Sequence, residues 1–194
     1  MEYARMRLIA DELSTRPEAW AVEISGGEII MITSPAKRHE FISFQIADQL
    51  NDQLRGTTPR VIAQSGAEIE DPRGAAALRR PDITILPMDV LDEDGDTVDP
   101  ADVTAVVEVV PRSNPENDYE GKTRDYAVMG IPYYLLVDPR KGTGLVLSQP
   151  RSTPEGQRYA ARVEFLFGET VQVGEWHVDT EGFPLYGAPG AGSR

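Results

Sequence analysis

Cysteine is absent from this 194-residue chain, which excludes disulfide frameworks, thiolate metal sites and cysteine nucleophiles and makes the cytoplasm the natural compartment. Any metal must sit on oxygen or imidazole. Histidine is nearly absent too, with only His39 and His177. No stretch approaches the ~20 consecutive apolar residues that span a bilayer. The N-terminal MEYARMRLIADEL is amphipathic rather than basic and then apolar, so the expectation is a soluble, unexported protein with no membrane partner. Positive charge is also scarce, with 19 Lys and Arg against 32 Asp and Glu and a net charge of −13. General affinity for nucleic acid comes from Lys and Arg displacing counterions on phosphates, so a basic DNA-coating protein is excluded.

Much of the acidity is local. Asp89, Asp92, Glu93, Asp94, Asp96, Asp99 and Asp102 crowd one segment, which reads as a solvated loop. Asp92, Asp94 and Asp96 have the alternate spacing of a calcium loop, but Thr97 stands where glycine is required and no Glu closes it.

With 40% hydrophobic residues the chain can build a real core. The expectation is one domain over 1–186, with GAPGAGSR at 187–194 a frayed tail. A short helix is predicted over 3–13, and a hairpin over Trp20 to Thr33 around Ser25-Gly26-Gly27. A helix is predicted from Ser34, its cap, and Pro35, its first residue, to about Arg55, with Ile42, Ile46, Leu50 and Leu54 on one face. RVIAQSGAEIE at 60–70 resembles one strand, and PDITILP follows a Gly/Ala/Arg segment as another. VTAVVEVV at 103–110 is β-branched without polar alternation, which predicts a central strand covered on both faces. Ser113-Asn114-Pro115-Glu116 offers a capping box for a helix ending near Met129 and Gly130. YYLLVDP, GLVLSQP, QRYAARVEF, TVQV and WHVDT complete a series of strands. The fold class is therefore α/β, with α+β character and a mixed sheet.

Glu108 is the anomaly of the central strand. A carboxylate expected to be buried costs several kcal/mol unless a cationic side chain or a metal compensates it. Lys122 and Tyr126 stand i, i+4 on the following helix, with Tyr119 three residues before Lys122, on what should be one face. Alone, Asp82 would begin a strand and Lys122 would lay its stem on apolar surface. Asp138 before Pro139 reads as a turn residue, and His177 has no distinguishing context.

Taken together, VEISGGEIIMITSP with His39, then PDITILP, then VVEVVPRSNPENDYEGKTRDYAVMGIPYYLLVDP resemble the Uma2 (DUF820) family, a branch of the PD-(D/E)XK restriction-endonuclease-like superfamily. The long block is similar to the family's signature of Glu on a strand, Asp and Lys in the next helix, then Tyr, Gly and a final Asp-Pro. The resemblance implies a restriction-endonuclease-like core in which a central mixed sheet is flanked by helices. It also implies a metal-dependent endonuclease hydrolysing DNA phosphodiester bonds. By it, Asp82 and Glu108 are the metal-binding carboxylates, helped by the backbone carbonyl of Val109, and Lys122 is the catalytic lysine. His39, Glu23, Glu40 and Tyr126 are its auxiliary residues. In the superfamily pattern the lysine stands two residues after the acid, where this chain has Val110, so Lys122 is a lysine displaced to the helix. VVPR replaces the family's more usual serine-proline turn, and Pro132-Tyr133-Tyr134 lacks the acidic residue common before the aromatic.

Such a site implies Mg²⁺ or Mn²⁺ on two carboxylates, with positions open to water and a phosphate oxygen. Arg79, Arg80, Arg112 and Arg124 are candidate phosphate contacts. The expected partner is nucleic acid, in the first place DNA, and a homodimer would let two symmetry-related sites cut two strands. The net charge and the missing strand lysine favour a rival, a non-catalytic binding or assembly module on the same fold. A third reading is a phosphodiesterase acting on RNA or a small nucleotide, although no RNA-binding motif is present.

Overall fold

A computed structural model describes residues 2–187. The tail expected at 187–194 lies outside them from residue 188 onward. The chain opens with α1 (Tyr3–Ser14), and then β1 (Ala21–Ser25) and β2 (Glu28–Ile32) form the expected hairpin, pairing Ser25 with Glu28. Gly26 and Gly27 make this tight turn with φ of 59° and 81°, a region that costs glycine little. Helix α2 spans Lys37–Leu54. It starts later than predicted, at an Ala36 cap with no side-chain hydrogen bond, so neither Ser34 nor Pro35 has its expected role.

The strand expected over 60–70 is two strands, β3 (Val61–Gln64) and β4 (Glu68–Asp71). Gly66, at φ 82°, breaks the run and sends each half into a different sheet. The Gly/Ala/Arg segment contains a strand that was not anticipated, β5 (Ala77–Arg79), and PDITILP gives β6 (Ile83–Pro87). The acidic segment carries two short 3₁₀ turns and β7 (Thr97–Val98), with its carboxylates largely in solvent, as a solvated loop requires. Then come β8 (Ala105–Val109), α3 (Thr123–Val128), β9 (Tyr133–Asp138), β10 (Thr143–Thr153), β11 (Gly156–Leu166), β12 (Thr170–Val173) and β13 (Trp176–Asp179).

The larger sheet has the order β11-β10-β9-β8-β6-β3. It is mixed, because β8 and β9 run parallel while the other pairs are antiparallel. A second sheet, β2-β1-β5-β4-β7, carries α1, and β12-β13 form a small hairpin. Every residue of β8 is buried, and its alternate side chains enter different cores. Ala105, Val107 and Val109 meet Ile42, Ile46, Leu50 and Leu54 of α2 on one face. Val106 and Val110 join Tyr126, Ile131 and Tyr134 on the other. Each fully buried aliphatic side chain contributes about 1.5–3 kcal/mol. The two-period of the strand therefore forces Glu108 onto the face that carries Tyr126.

Candidate active site

Asp82 sits at the start of β6, whose antiparallel partner is β8, so it lies beside the far end of that strand. Its Oδ2 accepts a hydrogen bond from the Val109 amide at 2.7 Å and lies 3.1 Å from His39 Nε2. Asp82 is thus tied to both α2 and β8. Burial works against charge on His39, but its bond to Asp82, with Glu40 and Asp118 behind, holds the imidazole's pKa above the ordinary value. His39 Nδ1 makes no hydrogen bond, although Glu40 Oε1 stands 3.7 Å away.

Glu108 is buried and fully engaged. Tyr126 donates its hydroxyl to Oε1 at 2.6 Å, and Lys122 Nζ lies 2.7 Å from Oε2. Lys122 itself is buried, at 6% side-chain exposure, and also reaches Asp118 Oδ1 at 3.3 Å and Glu23 Oε1 at 3.6 Å. The i, i+4 pair of Lys122 and Tyr126 therefore acts on one carboxylate, as the helix spacing predicted. Tyr119 does not join them; it donates to Asp138 Oδ2.

The cause is a π-helical stretch over Asn117–Lys122, which widens the first turns before α3. Such wide turns shift one residue's direction relative to the next and recur at functional sites. The expected capping box is not formed, because the helical turns begin at residue 115, one position later than a Ser113 cap would place them. Gly121 belongs to the same feature. A Cβ there would stand 3.0 Å from both Arg79 Nη2 and Asn117 Oδ1.

Asp118 is the site residue that was given no role from sequence. It is buried, its Oδ1 faces Lys122, and its Oδ2 has no hydrogen-bond partner. Burial raises its pKa to about 6, with the charges of Asp82 and Glu23 adding to the effect and Lys122 opposing it. Burial also raises the Glu108 carboxyl well above its ordinary range, Lys122 opposes this, and Asp82, Asp118 and Glu23 reinforce it. Lys122 moves upward as well, because four carboxylates outweigh the cost of its burial. An isolated Lys–Glu pair would lower the acid's pKa. Here the acids outnumber the lysine, so Lys122 stays charged while Glu108 and Asp118 are both held above the ordinary carboxylate range.

Glu23 belongs to a neighbouring, balanced network. Fully buried on β1, it receives Arg79 Nη1 on Oε2 at 2.7 Å and the Arg80 amide on Oε1 at 3.1 Å. Burial alone would raise its pKa, yet Lys122 and Arg79 hold it below the ordinary value. Arg79 also binds Asp125 through Nε at 3.0 Å and Asn117 through Nη1 at 3.1 Å. Asp125 takes further bonds from Ser25 and Arg124. The sequence suggests Arg79 as a phosphate contact. Its complete burial between two acids rules that out. Arg124 is likewise committed to Asp125 and Ser25, whereas Arg80 and Arg112 line the cleft.

That cleft has a volume of about 540 Å³ and is lined by Asp82, Glu108, Asp118, Lys122, His39 and Glu40 among others. Val109 lines it too, though its amide, rather than its carbonyl, is the group seen bonded to Asp82. Asp138 makes a turn, accepting the Arg140 amide at 3.0 Å. His177 is exposed, and its backbone amide bonds Gln53.

Among the described residues no group of three or more His, Asp or Glu side chains forms a ready cage for a cation. A hard divalent ion such as Mg²⁺ does not need one. It binds through one or two carboxylates and keeps the rest of its shell as water and substrate oxygens. The donors fit this pattern, since Asp82 is partly open to the cleft, the buried Asp118 Oδ2 is unpartnered, and four acids face the single lysine.

The comparisons agree with this architecture. The model of the Uma2 family, described as "Putative restriction endonuclease", matches residues 2–180. A crystal structure of a protein from Anabaena variabilis ATCC 29413, described as a "putative nuclease belonging to DUF820", superposes with a TM-score of 0.61 at 16% identity, covering 84% of this chain and 88% of that one. No curated protein matches. Among the described residues no helix is long and apolar enough to cross a membrane. With its mixed α/β core shared with that crystal structure and a family match running over nearly its whole length, the chain belongs to the Uma2 family.

Proposed function

We propose that this chain is a metal-dependent endonuclease that hydrolyses DNA phosphodiester bonds, with Asp82 and Glu108 holding Mg²⁺ or Mn²⁺ and Lys122 the catalytic cation. The observation that carries this reading is the convergence of Asp82, Glu108 and Lys122 from two strands and a helix on one cleft. The family and the fold support it at the coarser level of a restriction-endonuclease-like nuclease.

The bound ion would polarise a phosphate oxygen and lower the pKa of an attacking water. Asp82 would present the oxygen not engaged by His39 and Val109, and the Val109 carbonyl would add a neutral donor. Asp118 would contribute its unpartnered Oδ2 toward the ion. Tyr126 holds Glu108 in one rotamer by its short hydrogen bond. Lys122, kept protonated by the surrounding acids, would turn one N–H from Glu108 to the phosphate and stabilise the charge that builds up in the transition state. In-line attack by the water would form a new P–O bond as the P–O bond to the leaving sugar oxygen breaks, the water's proton passing to solvent and the leaving oxygen taking one up from it.

The test is nicking of DNA in the presence of Mg²⁺ or Mn²⁺. The wild type is expected to cut, and Asp82→Ala to be inactive. Equal activity in both would overturn the assignment. A second reading, the non-catalytic binding module, has its own observation in the direct Lys122–Glu108 ion pair, which already neutralises one acid without an ion. A folded protein that cuts no nucleic acid and binds no Mn²⁺ through Glu108 would be that module.

A further inference from the structure

The two walls of the cleft differ in chemistry. One is apolar, built from Trp20 at the start of the first hairpin and from Ile30, Met31 and Ile32 of its edge strand β2. Trp20 is 52% exposed and Met31 is 49% exposed, unusual for large apolar side chains beside a polar floor. The Trp20 amide bonds the Ile32 carbonyl at 2.8 Å, which fixes the indole's backbone to the strand. The opposite rim is cationic. Arg112 stands with its guanidinium 5.2 Å from the ring centroid of Tyr186, and both line the cleft. A second concavity, of about 440 Å³, continues from them past Lys37 and Arg38 at the start of α2. Neither Lys37 nor Arg112 has a carboxylate partner among the described residues. In a chain with a net charge of −13, this is an uncommon local arrangement.

Resting on the hydrolytic reading above, we propose that the strand entering this cleft is unpaired, with a base against the Trp20–Met31 wall and a phosphate flanking the scissile one on Lys37 and Arg112. In a duplex the bases are stacked inside, and what meets a cleft is charged backbone, which an apolar wall cannot solvate. An unpaired base has a free π-face, and stacking on an exposed aromatic side chain is its usual mode of binding. The cation count points the same way. A duplex footprint draws on many phosphate contacts, whereas this rim offers two cations with no carboxylate partner among the described residues, enough for a short stretch of single strand.

The test is binding of a short oligothymidylate and of a duplex of the same length, followed by tryptophan fluorescence in Mg²⁺. The oligothymidylate is expected to quench wild-type fluorescence and to bind at least tenfold more tightly than the duplex. Trp20→Ala should weaken single-strand binding by about tenfold. Trp20→Phe should preserve affinity while losing the quench, which separates stacking from a folding defect. Lys37→Ala and Arg112→Ala should each lower the salt dependence of log K by roughly 0.7. Duplex binding as tight as single-strand binding, or single-strand binding unchanged in Trp20→Ala, would overturn the proposal. The two readings fail separately. Trp20-dependent single-strand binding without cleavage would remove the hydrolytic reading alone, and cleavage confined to duplex and unaffected by Trp20→Ala would remove this one alone.

Discussion

Two clusters of buried charge lie side by side in this molecule, sharing Glu23 and Lys122 at their border. In the first, Arg79 is enclosed by Glu23, Asp125 and Asn117, and Ser25, Arg124 and the Arg80 amide meet the remaining oxygens. In the second, one lysine serves Glu108 and Asp118 with Asp82 nearby, and Asp118 Oδ2 has no partner. The difference is one of balance. A closed network with matched charges holds elements in register and has little left to offer a ligand. A cluster with surplus carboxylates has an unmet demand for positive charge that a cation would answer. Burial alone therefore does not mark a site; an unmet electrostatic demand at a cleft does.

The comparison breaks most visibly at Arg79. Replacing it with Met leaves Glu23 and Asp125 without their cation, and the expected loss is about 3–5 kcal/mol of stability, measured by chemical denaturation. A loss within 0.5 kcal/mol would mean that the network is not balanced by this arginine. On the other side, Lys122→Met should lower the rate of DNA cleavage by roughly 100-fold or more, as expected for removal of a group that stabilises transition-state charge. If cleavage survived at near wild-type rate, the lysine would belong to the scaffold.

A finer distinction comes from pH. Asp118 has a folded-state pKa raised to about 6, so between the ordinary carboxylate range and that value the folded protein binds more protons than the unfolded one. Stability should then fall as pH rises through this window. Asp118→Asn removes the dependence and should raise the melting temperature of the metal-free protein above pH 6, while weakening its affinity for Mn²⁺. A melting temperature unchanged by the substitution at pH 8 would contradict a carboxylate surplus. The smallest effect is expected in the solvated acidic segment. Asp94→Asn should alter stability by less than about 0.5 kcal/mol and leave Mn²⁺ binding untouched.

The parts of this arrangement differ in how far the sequence displays them. Glu108 stands out because a β-branched strand without alternation has no solvent face to receive a carboxylate, and the structure buries it. Lys122 and Tyr126 follow from helical spacing. Asp118 shows the same i, i+4 spacing to Lys122, a usable signal, but an acid near the start of a helix is ordinary enough to hide it. Arg79 could not have been read in advance. Its strand is three residues long, too short for alternation to show, and the acids that justify its burial come from β1 and α3, distant in the chain. The division of 60–70 at Gly66 and the late start of α2 are losses of a similar kind, because tertiary pairing outweighed local pattern.

The central claim is that the unbalanced cluster exists to receive a divalent cation. Calorimetric titration of the metal-free protein with Mn²⁺ at pH 7.5, beside Glu108→Gln and Asp82→Asn, tests it most directly. The account predicts saturable binding at one site, lost or weakened at least tenfold in both variants. Absence of binding in the wild type, or binding that neither substitution changes, would contradict it.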